Sequence, residues 1–278
     1  MLKRVQRSKF ISIISDGTTD ASVTEDEIVF LRHACNGSVY TEFVAVVGVV
    51  TADAKSITDA ILHSLAERLE LDTASISRKL VGFGSDGAAV MLGKRGGVVS
   101  HLRELSPALQ AVHCTAHRLE LAFKDAVKNV ALCKTVNLLL LNLYLFYKNS
   151  SKNRSSLKQA AEAEGDPKLF PTRVGGTRWL PHLQRALGNF LRGYRAITTQ
   201  LQQLQAQPGV SVDARAKSKG FLKQMKRKDV VLFAHFMLDV VTVLSKVSLT
   251  AQRSESTVPE VARSIDMALT TLKKYRSK

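Results

Sequence analysis

The chain has 278 residues, with 40 Lys+Arg against 24 Asp+Glu, which gives a formal net charge of +16. A hydrophobic content of 45% supplies enough apolar side chains for a folded core, which excludes a disordered basic tail. The positive charge favours a polyanionic partner, with nucleic acid ahead of an anionic membrane surface.

Cysteine content and hydropathy indicate the compartment. Cys35, Cys114 and Cys133 are too few for a disulfide framework or a four-cysteine zinc site, as is usual in a reducing environment. The basic stretch at 1–10 has no apolar segment behind it, and the most apolar helical run, 136–147, is shorter than the ~20 residues that span a bilayer. The sequence therefore predicts a soluble intracellular protein without a membrane partner.

The charge is unevenly distributed along the chain. Residues 1–150 contain 17 Lys+Arg and 15 Asp+Glu, whereas residues 151–278 contain 23 and 9. The polar stretch at 148–153 has no apolar anchor and is typical of a break or linker. We therefore expect two domains, a nearly neutral one at 1–150 and a basic one at 151–278.

Strand patterns open the first domain. A β-branched run at 10–15 predicts a buried strand that ends in an Asp-Gly turn at 16–17. Segments 27–34 and 39–50 predict two more strands, and the Asn-Gly pair at 36–37 between them is the favoured pair for a tight hairpin.

Helix and strand patterns then alternate. Apolar residues at helical spacing predict a helix over 57–69, and a short strand is expected at 80–84. A helix at 98–105, a strand at 111–115 and a helix that begins near His117 follow.

This order predicts an α/β fold. Three strands in a meander, followed by strands added in parallel, form a mixed sheet with helices on its faces. The second domain has helical periodicity in segments 198–207, 217–246 and 258–275 and no convincing strand pattern, so we expect it to be all-helical.

Two aspartates are the first candidate site residues. Asp16 and Asp86 each follow a predicted strand and precede a glycine, and ligands collect at the carboxyl ends of central strands. Two carboxylates held together there bind a divalent cation, and paired Mg²⁺ ions promote attack on a phosphodiester. The pattern is compatible with a Mg²⁺ or Mn²⁺ site at Asp16 and Asp86. The alternative is that both belong to ordinary Asp-Gly turns.

Other phosphate-binding patterns fit less well. Residues 82–87 read Gly-x-Gly-x-x-Gly after a strand, but Asp86 would point a carboxylate at the pyrophosphate of a dinucleotide. The string Asp16-Gly17-Thr18-Thr19 is similar to the phosphate loops of haloacid-dehalogenase-like and actin-like ATPase folds. Ile14 stands where the first needs an Asp and the second usually has a Gly. The sequence predicts no small-molecule substrate.

A short histidine and cysteine cluster follows the fifth strand. His113, Cys114 and His117 offer three metal ligands in five residues, but zinc needs a second cluster and none follows. The favoured interpretation is a buried strand-to-helix corner with packed Cys and His side chains.

The single tryptophan lies in the basic domain. Trp179 follows Arg178 on a glycine-flanked turn. A tryptophan there can anchor a core, or it can stack on an unpaired base, a contact worth ~1–3 kcal/mol. Its position favours a nucleic-acid contact through Arg178 and Trp179. Basic clusters at 223–228 and 273–276 are typical of solvated helix faces, with nuclear import as the alternative.

Four strings within residues 10–180 together resemble the catalytic region of hAT-superfamily DNA transposases. The closest type is the domesticated vertebrate one that is often fused to zinc-finger modules. The strings are Ile14-Ser15-Asp16-Gly17-Thr18-Thr19-Asp20, Gly84-Ser85-Asp86-Gly87-Ala88-Ala89-Val90-Met91, His113-Cys114-Thr115-Ala116-His117-Arg118-Leu119-Glu120-Leu121 and Thr177-Arg178-Trp179.

The resemblance implies an RNase-H-like fold that a long helical insertion interrupts. It implies that Asp16 and Asp86 bind catalytic Mg²⁺ or Mn²⁺ ions. The Cys114 and His117 pair matches a motif beside the family's active site, so His117 joins the candidate catalytic residues. Arg178-Trp179 matches a motif of the insertion, where the tryptophan stacks near a flipped base at the transposon end.

The sequence departs from the family pattern at the third acid. In the family this is a Glu after the insertion, and here the only late glutamates, Glu255 and Glu260, stand in a different context. The family's N-terminal zinc-binding DNA-recognition domain and C-terminal dimerisation region have no counterpart either. We therefore expect a truncated copy: a fragment, an isoform or a decayed transposase.

Three functions follow as hypotheses. The first is a catalytically inactive, transposase-derived nuclear protein that binds DNA or protein partners, with residues 151–278 contacting the DNA. The second is an active metal-dependent DNA nuclease or strand-transferase in which Glu255 or Glu260 supplies the third carboxylate. The third is a protein-interaction scaffold with no nucleic-acid role.

Overall fold

A computed structural model describes residues 1–19, 25–49, 51–166, 169–175 and 179–276. The chain divides into two compact units, residues 1–118 and residues 119–278. Each unit has its own hydrophobic core. The first unit carries 13 Lys+Arg against 13 Asp+Glu, and the second carries 27 against 11. The whole formal charge of +16 therefore belongs to the second unit.

A five-stranded mixed sheet forms the centre of the first unit. Its strands are β1 (Ile11–Thr19), β2 (Glu25–Cys35), β3 (Ser38–Val49), β4 (Leu80–Ser85) and β5 (Gln110–His113), in the order β3-β2-β1-β4-β5. Neighbours among β1, β2 and β3 are antiparallel, while β4 pairs in parallel with both β1 and β5. The predicted meander with parallel additions is confirmed.

The hairpin between β2 and β3 turns at the expected residues. Asn36 and Gly37 have φ angles of 52° and 76°, the left-handed conformation that an Asn-Gly hairpin turn requires. The Asp-Gly turn predicted at 16–17 is wrong. Asp16 and Gly17 lie within β1, opposite Ile28 and Glu27 of β2, because the β1–β2 pairing runs on to the end of both strands.

Helices cover one face of this sheet. The unit contains α1 (Leu2–Arg7), α2 (Ala54–Leu69), α3 (Thr73–Lys79), α4 (Ala89–Leu92) and α5 (Val98–Leu105), and α6 (Thr115–Val127) begins in it. The core joins inward strand residues to the apolar stripes of α2 and α5. Fully buried members include Ile11, Ile13, Leu31, Ile61, Leu65 and Leu102. Because successive side chains of a strand point to opposite faces, Ile14, Ile28 and Phe30 lie on the other face of the sheet.

A buried polar network joins α1 to the sheet. The His33 side chain is fully buried, with Nδ1 2.9 Å from Ser8 Oγ and Nε2 2.9 Å from Glu42 Oε2. Arg4 forms an ion pair with the same carboxylate, and its guanidinium lies 4.7 Å from the Tyr40 ring centroid. Burial alone would raise the pKa of Glu42, but hydrogen bonds from His33 and Arg4 lower it overall.

The described elements of the second unit are helices. They are α7 (Ala131–Lys148), α8 (Ser151–Ala163), α9 (Trp179–Arg192), α10 (Tyr194–Ala206), α11 (Val212–Met225), α12 (Lys228–Gln252) and α13 (Val258–Arg276). The polar stretch at 148–153 separates α7 from α8, which Ser150 caps through its side chain. The segment 217–246, for which helical periodicity was the only prediction, contains parts of two helices, α11 and α12.

Helix α12 is long and apolar enough to cross a membrane by length and composition alone. Its residues Val230, Ala234, Met237 and Val241 are buried in the core of the second unit. Helices α6 and α7 pass the same test only as a pair that bends by 115°. A core helix of a soluble protein has the same composition, so the absence of a membrane partner stays a prediction.

Candidate functional site

The first site lies at the carboxyl ends of β1 and β4. These strands are parallel neighbours, and Ile14 pairs with Gly84 two residues before each aspartate. Asp16 is exposed, while Asp86 is half-buried and its Oδ1 accepts a hydrogen bond from the Ala88 N–H at 2.9 Å. The fold therefore brings Asp16 and Asp86 to the same end of the sheet, as the sequence predicts.

A third acid at this end is Glu27, which sequence reasoning missed. It lies on β2 opposite Gly17, is only 6% exposed, and accepts a hydrogen bond from Ser15 Oγ at 2.5 Å. Burial raises the pKa of Glu27, and the charges of Asp16 and Asp86 raise it further, against the opposing effect of the Ser15 hydrogen bond. In the sequence, the signal for Glu27 is a charged residue at a position of β2 where the alternation pattern expects an inward, apolar side chain.

The glycines at the sheet end let side chains approach the backbone closely. A Cβ at Gly17 would sit 3.0 Å from Glu27 Oε1, so the carboxylate lies directly over that residue. Gly87 has a φ of +88°, and a Cβ there would meet the His113 ring at 2.3–2.5 Å. Both Asp-Gly pairs therefore contain a glycine whose missing side chain admits a neighbouring polar group.

Two buried polar atoms near the acids have no hydrogen-bond partner among the described residues. They are Ser85 Oγ and His113 Nε2, and Ser85 pairs directly with His113 across β4 and β5. Ser85 is 4% exposed and immediately precedes Asp86. Both atoms lie at this end of the sheet, on its helix-covered face, and each could still form a hydrogen bond.

The acids do not form a three-ligand metal centre as they stand. Asp16 and Glu27 belong to opposite faces of the sheet, since Gly17, not Asp16, is the cross-strand partner of Glu27. Among the described residues, no three His, Cys, Asp or Glu side chains are placed to hold a metal ion. Asp16 and Asp86 are the pair that would contact a Mg²⁺ or Mn²⁺ ion, while Asp26, on the same face as Asp16, lies one row further along, opposite Thr18.

The late glutamates have local roles in the second unit. Glu260 Oε2 accepts hydrogen bonds from Thr257 N–H at 2.7 Å and from Thr257 Oγ1 at 2.9 Å. This is the capping-box arrangement for the first turn of α13. Glu255 is exposed and hydrogen-bonds to the neighbouring Ser254.

The corner after β5 is only partly as predicted. Strand β5 ends at His113 and α6 begins at Thr115, which confirms the strand-to-helix corner. Cys114 is exposed, contrary to the packed position expected, and its N–H donates to the Ser85 carbonyl at 2.8 Å. His117 is half-buried, and its ring centroid lies 5.6 Å from that of His113.

The second unit contains a separate pocket of about 550 Å³. Its apolar lining comes from α6, α7, the segment 173–175 and Trp179. Among the described residues, its polar lining has four cationic side chains and no carboxylate. The apolar residues are Val127, Leu138, Leu141, Val174 and Trp179, and the cations are Lys124, Lys128, Lys134 and Arg173. An apolar pocket with a cationic rim suits a ligand with a flat apolar part and a negative charge.

Trp179 belongs both to the core and to this pocket. It begins α9, is half-buried, and its ring centroid lies 5.2 Å from that of Phe123. The next residue, Leu180, is fully buried and its N–H donates to Glu120 Oε1 at 3.4 Å. Arg178, the other residue of the predicted nucleic-acid contact, lies outside the described residues.

Asn137 and Cys133 also line the pocket. Asn137 Nδ2 donates to Cys133 Sγ at 3.5 Å, while the buried Asn137 Oδ1 has no partner among the described residues. Cys133 is 2% exposed, and burial raises the pKa of its thiol. The thiol therefore stays protonated and lines the pocket as an unreactive group.

No protein-family model matches the chain. The two sites, the acids at the sheet end and the cation-rimmed pocket, therefore carry the functional argument.

Proposed function

We propose that the chain is a transposase-derived DNA-binding protein that does not cleave DNA. In this proposal the sheet of the first unit is RNase-H-like, and residues 119–278 hold the nucleic acid. The observation that carries the proposal is the pocket that contains Trp179, because it combines an aromatic ring, an apolar floor and four cations. Because the proposed ligand is DNA, we also propose that the protein is located in the nucleus.

The chemistry of the pocket favours an unpaired base. The ring of Trp179 lines the pocket, and stacking of a base on it would be worth ~1–3 kcal/mol. Lys124, Lys134 and Arg173, which are exposed and line the pocket, would contact phosphates. A base inside a duplex cannot enter a pocket of this kind unless it leaves the stack.

The proposed absence of catalysis rests on the placement of the acids. Asp16 and Asp86 lie at one end of the sheet, and among the described residues no three His, Cys, Asp or Glu side chains are grouped closely enough to hold a metal ion. Glu260, one of the two late acids that the nuclease hypothesis offers beside Glu255, is already held in the cap of α13. A metal ion that is held by two aspartates alone is poorly positioned for two-metal chemistry.

Fluorescence of the single tryptophan tests the binding proposal. Titration of the full chain with a short single-stranded oligonucleotide should quench Trp179, and log K should fall linearly with log salt. Lys134→Gln should reduce the magnitude of the salt slope by about 0.7, the value for one phosphate contact on a single strand. Lys152→Gln, an exposed lysine of α8 that does not line the pocket, is the matched control.

Two results would contradict the proposal. One is an affinity that ignores ionic strength, and the other is an equal loss for Lys134→Gln and Lys152→Gln. The rival nuclease hypothesis predicts Mn²⁺-dependent nicking that Asp86→Asn abolishes. It is favoured by the shared position of Asp16 and Asp86 at the ends of parallel strands.

A further inference from the structure

A second pocket in the second unit, of about 400 Å³, lies between α7 and α11. Its lining includes an aromatic ring, one cation and two side-chain amides, which belong to Phe221, Lys217, Asn142 and Gln224. Among the described residues, no carboxylate lines it. We call it the α11 pocket, and we call the pocket that contains Trp179 the Trp179 pocket.

Helix α11 holds its pocket side chains in fixed positions. Lys217, Phe221 and Gln224 are spaced i, i+4 and i+7, which places them on one face of the helix. The helix is anchored by Ser218, which is fully buried and whose Oγ donates to a backbone carbonyl of α10 at 2.6 Å. The half-buried Phe221 ring meets the Phe146 ring at an interplanar angle of 73°, with centroids 5.4 Å apart. The Phe221 ring is therefore ordered before any ligand binds.

The two pockets lie on adjacent sides of α7. The α7 residues that line the Trp179 pocket are Cys133, Lys134, Asn137, Leu138 and Leu141. Those that line the α11 pocket are Thr135, Leu138, Leu139 and Asn142. At about 100° per residue, the mean directions of the two sets differ by about 120°, and their mean positions differ by about 3 Å along the helix axis. Leu138 belongs to both sets, is 48% exposed, and forms the ridge between the two pockets.

Two bases in these pockets could not stay stacked on each other. A helix with its side chains is about 10–12 Å across, so sites on adjacent sides of α7 are about 10 Å apart. Neighbouring stacked bases are only about 3.4 Å apart. Proteins hold bases unstacked by inserting an apolar side chain between them. The exposed Leu138 has the position and the chemistry for this role.

The charges beside the ridge favour a polyanion over an apolar or cationic ligand. Lys134 lines the Trp179 pocket and Lys217 lines the α11 pocket, so a cation lies on each side of Leu138. Lys217 Nζ is 2.7 Å from Oδ2 of Asp213, one turn earlier on α11, and both side chains are more than half exposed. An exposed ion pair of this kind is weak, so Lys217 remains able to contact a phosphate.

We propose that the α11 pocket is a second base subsite for single-stranded DNA. The nucleotide next to the one in the Trp179 pocket crosses Leu138 and places its base against the Phe221 ring. Its phosphate lies at Lys217, and the amides of Asn142 and Gln224 can donate and accept hydrogen bonds at the edge of the base. This inference rests on the proposed DNA binding and extends it, because the ligand becomes two neighbouring nucleotides that the ridge holds apart.

Fluorescence titration of the full chain with thymidine monophosphate and with short oligothymidylates tests the proposal. Quenching of Trp179 reports the Trp179 pocket, and a longer ligand also fills the α11 pocket. The affinity should rise by at least about tenfold from the monophosphate to the trinucleotide, because stacking of one more base is worth about 5- to 150-fold.

Two variants assign this gain to the α11 pocket. Phe221→Leu should remove most of the gain and leave the affinity for the monophosphate unchanged. Its matched control is Phe146→Leu, which removes the same contact between rings but lies outside the α11 pocket. Lys217→Gln should reduce the magnitude of the salt slope for the trinucleotide by about 0.7, the value for one phosphate contact on a single strand. Its control is Lys219→Gln, an exposed lysine of α11 that does not line the pocket.

The ridge has a control of its own. Leu138→Ala should reduce the gain, whereas Leu145→Ala should not, because Leu145 is an exposed leucine of α7 that lines neither pocket. An equal effect of these two variants would overturn the role of the ridge.

The outcomes separate this inference from the proposed function. Absence of quenching by every ligand overturns the proposed function and this inference with it. Three results overturn this inference alone: a gain that Phe221→Leu keeps, a salt slope that Lys217→Gln leaves unchanged, and equal losses in the matched controls. Circular dichroism of each variant separates a lost subsite from a lost fold, and if Phe221→Leu does not fold, Lys217→Gln decides.

Discussion

The substitution Glu27→Gln should make the first unit more stable at pH 8. Glu27 is 6% exposed, and the hydroxyl of Ser15 is the side-chain donor seen to contact its carboxylate. Glutamine keeps the shape and can still accept that hydrogen bond through its amide oxygen, but it removes a buried charge that lies near Asp16 and Asp86.

The size of the effect follows from opposing terms. An imperfectly paired buried carboxylate costs several kcal/mol, and one hydrogen bond to a charged group returns about 1.5–3 kcal/mol, which leaves a net penalty of about 1–2 kcal/mol. Because the folded-state pKa of Glu27 is raised above its ordinary value of 4.5, the native state binds the proton more tightly than the unfolded state. The penalty is absent below the unfolded-state pKa and develops fully as pH rises through the folded-state pKa.

Hydrogen exchange of peptides that cover β1 and β2 measures this effect. After correction for intrinsic exchange rates, the variant should open about tenfold less often than the parent at pH 8, and the two should be alike near pH 4. Glu25→Gln, an exposed position at the start of β2, is the control and should change little. A variant that is less stable at pH 8, or a difference that does not vary with pH, would refute the reasoning.

Three further predictions concern buried contacts. His33→Ala removes the hydrogen bonds of the buried ring to Ser8 and Glu42, which keep their contacts with Arg4, and should cost about 1–3 kcal/mol, seen as faster proteolysis within α1. Tyr147→Phe removes the 2.8 Å hydrogen bond from the Tyr147 hydroxyl to Gln200 Oε1 and should cost about 1 kcal/mol in urea unfolding followed by tryptophan fluorescence. Gly87→Ala should cost at least about 1–2 kcal/mol, because its φ of +88° disfavours a side chain and the His113 ring occupies the Cβ position; unchanged thermal unfolding would contradict this.

Local patterns predicted the sheet well. Alternation and β-branched residues identified the strands of the meander, and the Asn-Gly pair at 36–37 fixed its hairpin, because these features depend on neighbours in sequence. The helix α2 was likewise predicted from the spacing of its apolar residues. The polar stretch at 148–153 separates α7 from α8, within the second compact unit.

The errors share a physical cause. Asp16 and Gly17 look like a turn, but cross-strand pairing with Ile28 and Glu27 keeps them in β1, and pairing between distant segments leaves no local trace. The break between α11 and α12 at 226–227 contains no glycine or proline to mark it.

The candidate sites were predicted only in part for the same reason. Asp16, Asp86 and Trp179 stand in recognisable strings, whereas the role of Glu27 depends on the Ser15 hydroxyl on another strand. The pocket around Trp179 joins α6, α7 and the segment 173–175, which are far apart in sequence. Its cationic rim therefore cannot be recognised from any one of these segments.

The division of charge between the units has a consequence for solubility. The first unit has no net charge, so electrostatic repulsion between molecules comes from the +16 of residues 119–278. A bound polyanion neutralises that repulsion, and a complex near charge balance has no net charge to keep neighbouring molecules apart. Turbidity should therefore peak when the oligonucleotide supplies about sixteen phosphates per chain and clear again in excess of either component. If the turbidity behaves in this way, the amount of nucleic acid bound to residues 119–278 determines whether the whole protein stays in solution.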